Sequence, residues 1–343
     1  MCKVLITGAA GFIGSHVTRH FCEKGLNPLC YVKKTSDTKF IWNLPVQILY
    51  GDILDLEGLK NAMKNVDTVI HIAALSKDWG RYNDFYNINV EGTLNVLRAG
   101  TARGVKHFII TGTISSYGEE NSSQIKNESF PFNSHYPYFM DRLFPSKMNY
   151  YRDTKALSTK QAIEYANSKN LNLTIIEPVW VYGEHEFHTG FYDYMKTAKS
   201  GIPFLPGSKK NKFHVIYVRD LAQAYYLAYI KRPARINRFI IGNKKPVYMD
   251  SIYELFCSEM GVRKPGILPK SLVYPFAFIM ELLYTILAVK HPPLLTRGRV
   301  NMLYDNIEYS TRKAQEELLF VNKYCIEEGI KNTVQWYKQN QLI

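Results

Sequence analysis

Short apolar runs alternate with longer stretches in helical phase along the first 240 or so residues. Lys3–Thr7, Pro28–Val32, Val46–Tyr50, Asp67–Ala74, His107–Thr111 and Leu173–Pro178 have the length and β-branched content of buried strands. Arg238–Gly242 reads as a last strand, and His214–Val218 as a short apolar run before a helix from Leu221. Between them, Ser15–Lys24, Asn89–Leu97 and the run through Met148–Lys155 place apolar residues at helical spacing. Strands separated by helices need crossover connections, so the pattern predicts an α/β chain with a doubly wound parallel sheet. From Ser251, where Ser251 and Glu254 have capping-box spacing, the chain becomes mostly helical. The shifts near 178 and 246 divide the chain into 1–177 with 214–245, and a smaller lobe of 178–213 with 246–343. Residues 119–147 show no period. A loop of that length is usually functional, and its aromatics, Phe130, Phe132, Tyr136, Tyr138 and Phe139 among them, suit a substrate lip.

The first strand runs into Gly8, Gly11 and Gly14, followed by a helix. Strand, glycine turn and helix make a dinucleotide site: one glycine for the turn, one for close approach of a pyrophosphate, one for helix packing. The phosphates would meet the helix N-terminus at Phe12 and Ile13. Where an NAD site places an acid after the second strand, this chain has Val32, Lys33 and Lys34. Neither lysine has an acid near it in sequence, and two ammonium groups suit a 2′-phosphate, so NADP is expected, with NAD the alternative. Asp52 and Ile53 end the third strand, where adenine would rest. Ala73 and Ala74 end the fourth, small enough to let a cofactor lie close.

Tyr151 and Lys155 are four residues apart in a helical run, so phenol and ammonium share one face. A cation beside a phenol favours the phenolate and lowers a pKa ordinarily near ~10. Such a tyrosine exchanges protons near neutral pH.

Composition narrows the picture further. Apolar content of 46% and charged content of 21% are those of a folded globular chain. Five scattered cysteines, without a CxxC pair or a His/Cys cluster, predict free thiols, a reducing compartment and no metal. The N-terminus leads straight into a strand, so no signal peptide is expected and a cytoplasmic location follows. The net charge of +13 comes without a basic block or a nucleic-acid module. Phosphorylated cofactors and lipid headgroups are therefore the expected anionic partners, not nucleic acid.

Taken together, the Gly8–Gly14 loop, His71 with Ala73 and Ala74, Tyr151 with Lys155, and Pro178 with Val181, Tyr182 and Gly183 resemble the extended short-chain dehydrogenase/reductases. The likeness spans nearly the whole chain. It is greatest to the branch of 3β-hydroxysteroid dehydrogenases and dihydroflavonol reductases, through Val32–Asp37 and Leu294–Arg297. It implies hydride transfer at an alcohol or ketone carbon of an apolar substrate: sterol-like, lipid or polycyclic. By the resemblance Tyr151 is the acid/base, Lys155 holds the nicotinamide ribose, and Thr113 orients the substrate oxygen. Thr113 stands four residues before Tyr117-Gly118, with Ser115 and Ser116 as alternatives. Gly8, Gly11, Phe12, Ile13, Gly14, Lys33, Asp52, Ile53, Ala73, Tyr151, Lys155, Pro178 and Val181 would line the cofactor. The chain departs from the family at Glu177, where arginine is common, and at Arg219-Asp220, where two acids are; both are expected near the substrate lobe. Ile114-Ser115 replaces the acid pair of sugar-nucleotide dehydratases, which argues against dehydration. A nucleotide-sugar 4-epimerase with tightly held NAD stays open, and so does a homodimer. A silent dinucleotide sensor would usually have lost the tyrosine or the lysine.

Ser271–Val289 is the most apolar stretch of the chain. Glu281 at its centre and Pro275, expected to break its start, argue against a membrane span. Phe276, Ile279, Leu283 and Ile286 fall on one helical face with basic residues at both ends, a pattern that fits peripheral contact with an anionic membrane as well as core packing.

Overall fold

A computed structural model of the chain describes residues 3–118, 121, 124–187 and 190–343. In chain order the first half holds β1 (Val4–Thr7), α1 (Phe12–Glu23), β2 (Leu29–Val32), β3 (Gln47–Tyr50), α2 (Leu56–Ala62), β4 (Thr68–His71), α3 (Tyr82–Phe85), α4 (Gly92–Ala102), β5 (His107–Thr111) and α5 (Met148–Ser168). The second half holds β6 (Asn172–Pro178), β7 (Trp180–Tyr182), α6 (Phe191–Lys199), β8 (Phe204–Pro206), β9 (Lys212–Phe213), β10 (Val215–Tyr217), α7 (Val218–Lys231), β11 (Ile236–Ile241), β12 (Val247–Tyr248), α8 (Met249–Met260), β13 (Gly266–Leu268), α9 (Lys270–Ile286), α10 (Arg297–Tyr304), α11 (Arg312–Glu317) and α12 (Ile326–Gln339).

Among the described residues, seven strands pair in parallel in the order β11-β6-β5-β4-β1-β2-β3. The inner strands β1, β4 and β5 are almost wholly buried, as expected for a sheet covered on both faces. One face packs under α1 and α7 through Val17, Phe21, Leu221 and Tyr225; the other packs under α4 and α5 through Val96, Leu97 and Ala162. The strand order reverses between β1 and β4, and ligands of such sheets bind outside the carboxyl ends of the strands there. The remaining strands form two-stranded pairs, β10-β7, β12-β9 and β13-β8, set among α6 and α8 to α12.

Local readings differ in four places. The α8 helix begins at Met249, two residues before Ser251, because buried Met249 anchors its first turn while exposed Ser251 makes no cap. Pro275 lies inside α9 instead of breaking it; its ring is exposed, so it displaces nothing in the packing. The Asn89 helix opens as a π-turn over Tyr86–Glu91 before α4. The fourth strand stops at His71, leaving Ile72–Ala74 as extended chain beyond the sheet edge. The 119–147 segment forms no helix or strand beyond an isolated bridge from Lys126 to Tyr309; residues 119, 120, 122 and 123 lie outside the described residues.

Candidate active site

The glycine loop fits a dinucleotide cradle. Gly8 has φ +71°, and a Cβ there would lie 2.6 Å from the Ala73 nitrogen. A Cβ on Gly14 would be 2.9 Å from the Ala9 Cα and would overlap the Gly8 carbonyl oxygen. Side chains at either position would fill the space between β1, β4 and α1. Gly11, exposed and in extended conformation, precedes α1, whose first-turn N–H groups at Phe12 and Ile13 have no intrahelical acceptor. These residues suit a pyrophosphate by backbone donation alone.

His71 is buried between two hydroxyls: Nδ1 lies 2.7 Å from Thr7 Oγ1 and Nε2 2.9 Å from Thr93 Oγ1. Burial lowers its pKa to about 3, so the ring is neutral and ties β1, β4 and α4 together. Ile53 is buried against Gly92, fixing the end of β3 onto α4.

The Lys33 and Asp52 side chains meet at 3.4 Å, and each remains nearly half exposed. Sequence separation hid this pair. Contrary to the reading that the lysines lack an acid, parallel β2 and β3 bring Val32 opposite Tyr50, so the residues that follow converge. Asp52 also caps the Leu54 N–H at 2.9 Å.

Lys155 is fully buried. Its ammonium donates to the Thr111 carbonyl at the carboxyl end of β5, 2.7 Å away. Burial lowers its pKa to about 8, against a smaller upward pull from Glu177. Tyr151 lies one turn earlier on the same helix and is half-buried. Thr113 follows two residues after Thr111. It caps a 3-10 turn over Ile114–Tyr117, its Oγ accepting the Ser115 N–H at 3.2 Å. One lone pair of that hydroxyl is thus in use, while its proton can still be donated. Helix α5 packs against this turn, so Thr113, Tyr151 and Lys155 gather at one strand end. Pro178 closes β6 beside it, and Val181 continues into β7.

Two buried residues of this region escaped the sequence reading. Asn89 donates to Thr154 Oγ1 at 3.1 Å and accepts the Leu75 N–H at 2.7 Å, binding the loop after β4 to α5. It sits in the π-turn, a distortion often found at functional sites. A polar residue on an otherwise apolar helical face was the available signal. Tyr225 of α7 shares a hydrogen bond of 2.7 Å with Thr111 Oγ1 and stands close to Tyr151.

The departures at Glu177 and Arg219-Asp220 have structural partners. Glu177 is buried in the central sheet, accepting from Tyr117 at 2.6 Å and from Arg238 of β11 at 3.2 Å. Arg219 pairs with Glu184 at 2.6 Å, and Asp220 accepts the N–H of Lys323 at 2.9 Å, joining α7 to the chain after β7 and to the segment before α12.

A parallel seven-stranded sheet with a glycine cradle at its switch point and a Tyr/Lys pair at the carboxyl end of β5 defines a nucleotide-dependent oxidoreductase fold. The chain belongs to the NAD-dependent epimerase/dehydratase family, whose model matches residues 4–242, and is an NAD(P)-dependent oxidoreductase of the extended short-chain dehydrogenase/reductase type. It is 26% identical to the 2-alkyl-3-oxoalkanoate reductase of Stenotrophomonas maltophilia over 96% of this chain and 97% of that one. It is 24% identical to the decarboxylating sterol-4-alpha-carboxylate 3-dehydrogenase of Mus musculus, covering 97% and 90% of the two chains. The UDP-glucose 4-epimerase of Thermus thermophilus, solved in complex with NAD, superposes with a TM-score of 0.73 at 22% identity, over 98% of this chain and 99% of that one.

Proposed function

We propose that the chain is an NADP-dependent oxidoreductase acting on an alcohol or ketone carbon of an apolar substrate of sterol-like, lipid or polycyclic kind. The observation that carries it is the buried Lys155 ammonium, anchored on Thr111 one helical turn from half-buried Tyr151. Gly8, Gly11, Phe12, Ile13 and Gly14 would hold the pyrophosphate, Asp52, Ile53 and Ala73 would flank the adenosine, and Pro178 and Val181 the nicotinamide. The nicotinamide, when bound, supplies or accepts the hydride.

The remaining work falls to the chain. Thr113 donates its hydroxyl proton to the substrate oxygen and fixes its position. Tyr151 gives that oxygen a proton in reduction, or takes one in oxidation. Lys155 holds positive charge beside the phenol and favours the phenolate, while its tie to Thr111 keeps it from swinging away. The Tyr136, Tyr138 and Phe139 aromatics lie in the segment that leads to α5 and would supply an apolar wall, which supports a substrate of low polarity. The named activities of the reductase and the sterol dehydrogenase point the same way.

One observation favours the second reading, a 4-epimerase with tightly held NAD. Asp52 partly occupies Lys33 and weakens its attraction for a 2′-phosphate. Mass spectrometry of the ligand that co-purifies, followed by NADPH oxidation over sterol, 3-keto lipid and flavonoid ketones, separates the two. Stoichiometric bound NAD with no net turnover of added NADPH would replace the first reading by the second.

A further inference from the structure

Helix α9 is apolar on two opposite sides. Val273, Ala277 and the paired Glu281 face inward, and Val273 and Ala277 pack on Val300 of α10. Leu272, Phe276, Ile279, Leu283 and Ile286 recur at helical spacing on the other side and are exposed, Phe276 by 68% and Ile286 by 65%. A helix apolar all round is normally buried on all sides. This one is not.

The exposed stripe continues into the loop before α5. Phe139 meets Phe278 edge to face at 5.2 Å, and its N–H reaches Tyr274 Oη at 3.5 Å. Phe139, Met140 and Leu143 are exposed beside it. The two segments are held in register by Arg297. Its buried guanidinium pairs with Glu281 at 2.9 Å and donates to the carbonyls of Phe139 and, at 2.7 Å, Phe144. Ser146 adds a bond of 2.7 Å to Glu281. The apolar surface is therefore a braced platform of contiguous side chains, not scattered single residues.

Its unpaired charges are of one sign. The acid of α9, Glu281, is buried and paired, and Asp141 of the loop turns back to the Ser146 N–H and to His135. Arg142 in the loop and Lys290 past the end of α9 have no ion pair among the described residues. A second copy docked face to face would bring these cations against their own kind. An anionic lipid surface would neutralise them while accepting the apolar stripe. No described helix is long and apolar enough to cross a membrane, so the contact would lie in the interface.

We propose that α9 and the Phe139–Lys147 loop form a docking surface for an anionic bilayer. The same loop runs into α5 at Met148, three residues before Tyr151, so docking would bring the proposed active site near the lipid. The proposal stands on the surface alone and does not require the substrate reading above.

The test is flotation of the full chain with vesicles of phosphatidylcholine, with and without phosphatidylglycerol, at low and high salt. Co-flotation is expected only with phosphatidylglycerol at low salt. The Phe276→Asp/Ile279→Asp variant should lower the bound fraction on the order of tenfold, with circular dichroism and NADH binding unchanged. Should that variant misfold, Arg142→Glu/Lys290→Glu probes the same surface through its charges and should also lose binding. Failure of the wild type to float, or equal flotation of folded variants, overturns the proposal. So does a wild-type dimer, without vesicle binding, that Phe276→Asp/Ile279→Asp splits into monomers; that result would give the face to a second copy of the chain.

Discussion

Arg238 reaches diagonally from β11 across to Glu177 on β6, placing a guanidinium 3.2 Å from a carboxylate with no solvent exposure. Tyr117 donates to the same carboxylate and also contacts Arg238. Burial raises the Glu177 pKa, and Arg238 opposes that rise. Removing one partner from a buried pair leaves an uncompensated charge and typically costs about 3–5 kcal/mol. Arg238→Met should therefore lower stability by about 3 kcal/mol near neutral pH, while Glu177→Gln, which leaves the exposed end of Arg238 to water, should cost less. Chemical denaturation of both single variants and the double variant measures the coupling. Additive effects would show that the two side chains do not interact.

Tyr151→Phe removes the proposed proton donor and leaves the glycine cradle untouched. Turnover should fall by about 10²- to 10⁴-fold with cofactor affinity changed less than about twofold. Stopped-flow turnover beside NADPH fluorescence titration reports both. Near-wild-type turnover would remove Tyr151 from the mechanism.

The order of strands and helices was legible in the sequence because each inner strand is buried on both faces and reads as a continuous apolar run. The glycine loop was legible for a similar reason: the tight contacts at Gly14 arise within one strand-turn-helix unit, and Gly8 adds the approach of the chain just after β4. What could not be read were pairings made by the sheet and the helices across long separations. Lys33 with Asp52, Glu177 with Arg238, and Glu281 with Arg297 are each between residues 16 to 61 apart. The departure at Glu177 was legible only as a departure; its charge partner, Arg238, stands on the neighbouring strand. Ser251 misled because its spacing to Glu254 was right, whereas burial of Met249 decided where α8 begins.

The Lys33–Asp52 pair sets up a cofactor test with two arms. Lys33→Glu should weaken NADPH binding by about tenfold while leaving NADH within about threefold. Asp52→Asn releases Lys33 and should move the preference toward NADPH, provided its cap on Leu54 survives as an amide acceptor. Titration of both nucleotides against the three proteins decides it. Equal affinity of the wild type for NADPH and NADH, unmoved by either substitution, would take Lys33 out of the site.

Lys155 couples activity to stability through its proton. Burial lowers its pKa from an unfolded value of 10.5 to about 8. Below about 8 both folded and unfolded chains carry the ammonium, so the folded state bears the full cost of a buried charge. Between about 8 and 10.5 the folded chain has released the proton and the unfolded chain has not. The unfolded state then binds more protons, and stability rises with pH across that window. A neutral side chain of similar length should remove the cost. Lys155→Met is expected to be more stable than the wild type at pH 7 by about 1–3 kcal/mol, after loss of the hydrogen bond to Thr111. The advantage should shrink as pH climbs through the window, and turnover should be lost throughout. Thermal unfolding of both proteins as a function of pH gives the answer. A variant less stable at pH 7, or a gap that does not narrow toward alkaline pH, would mean that the buried ammonium carries no such penalty.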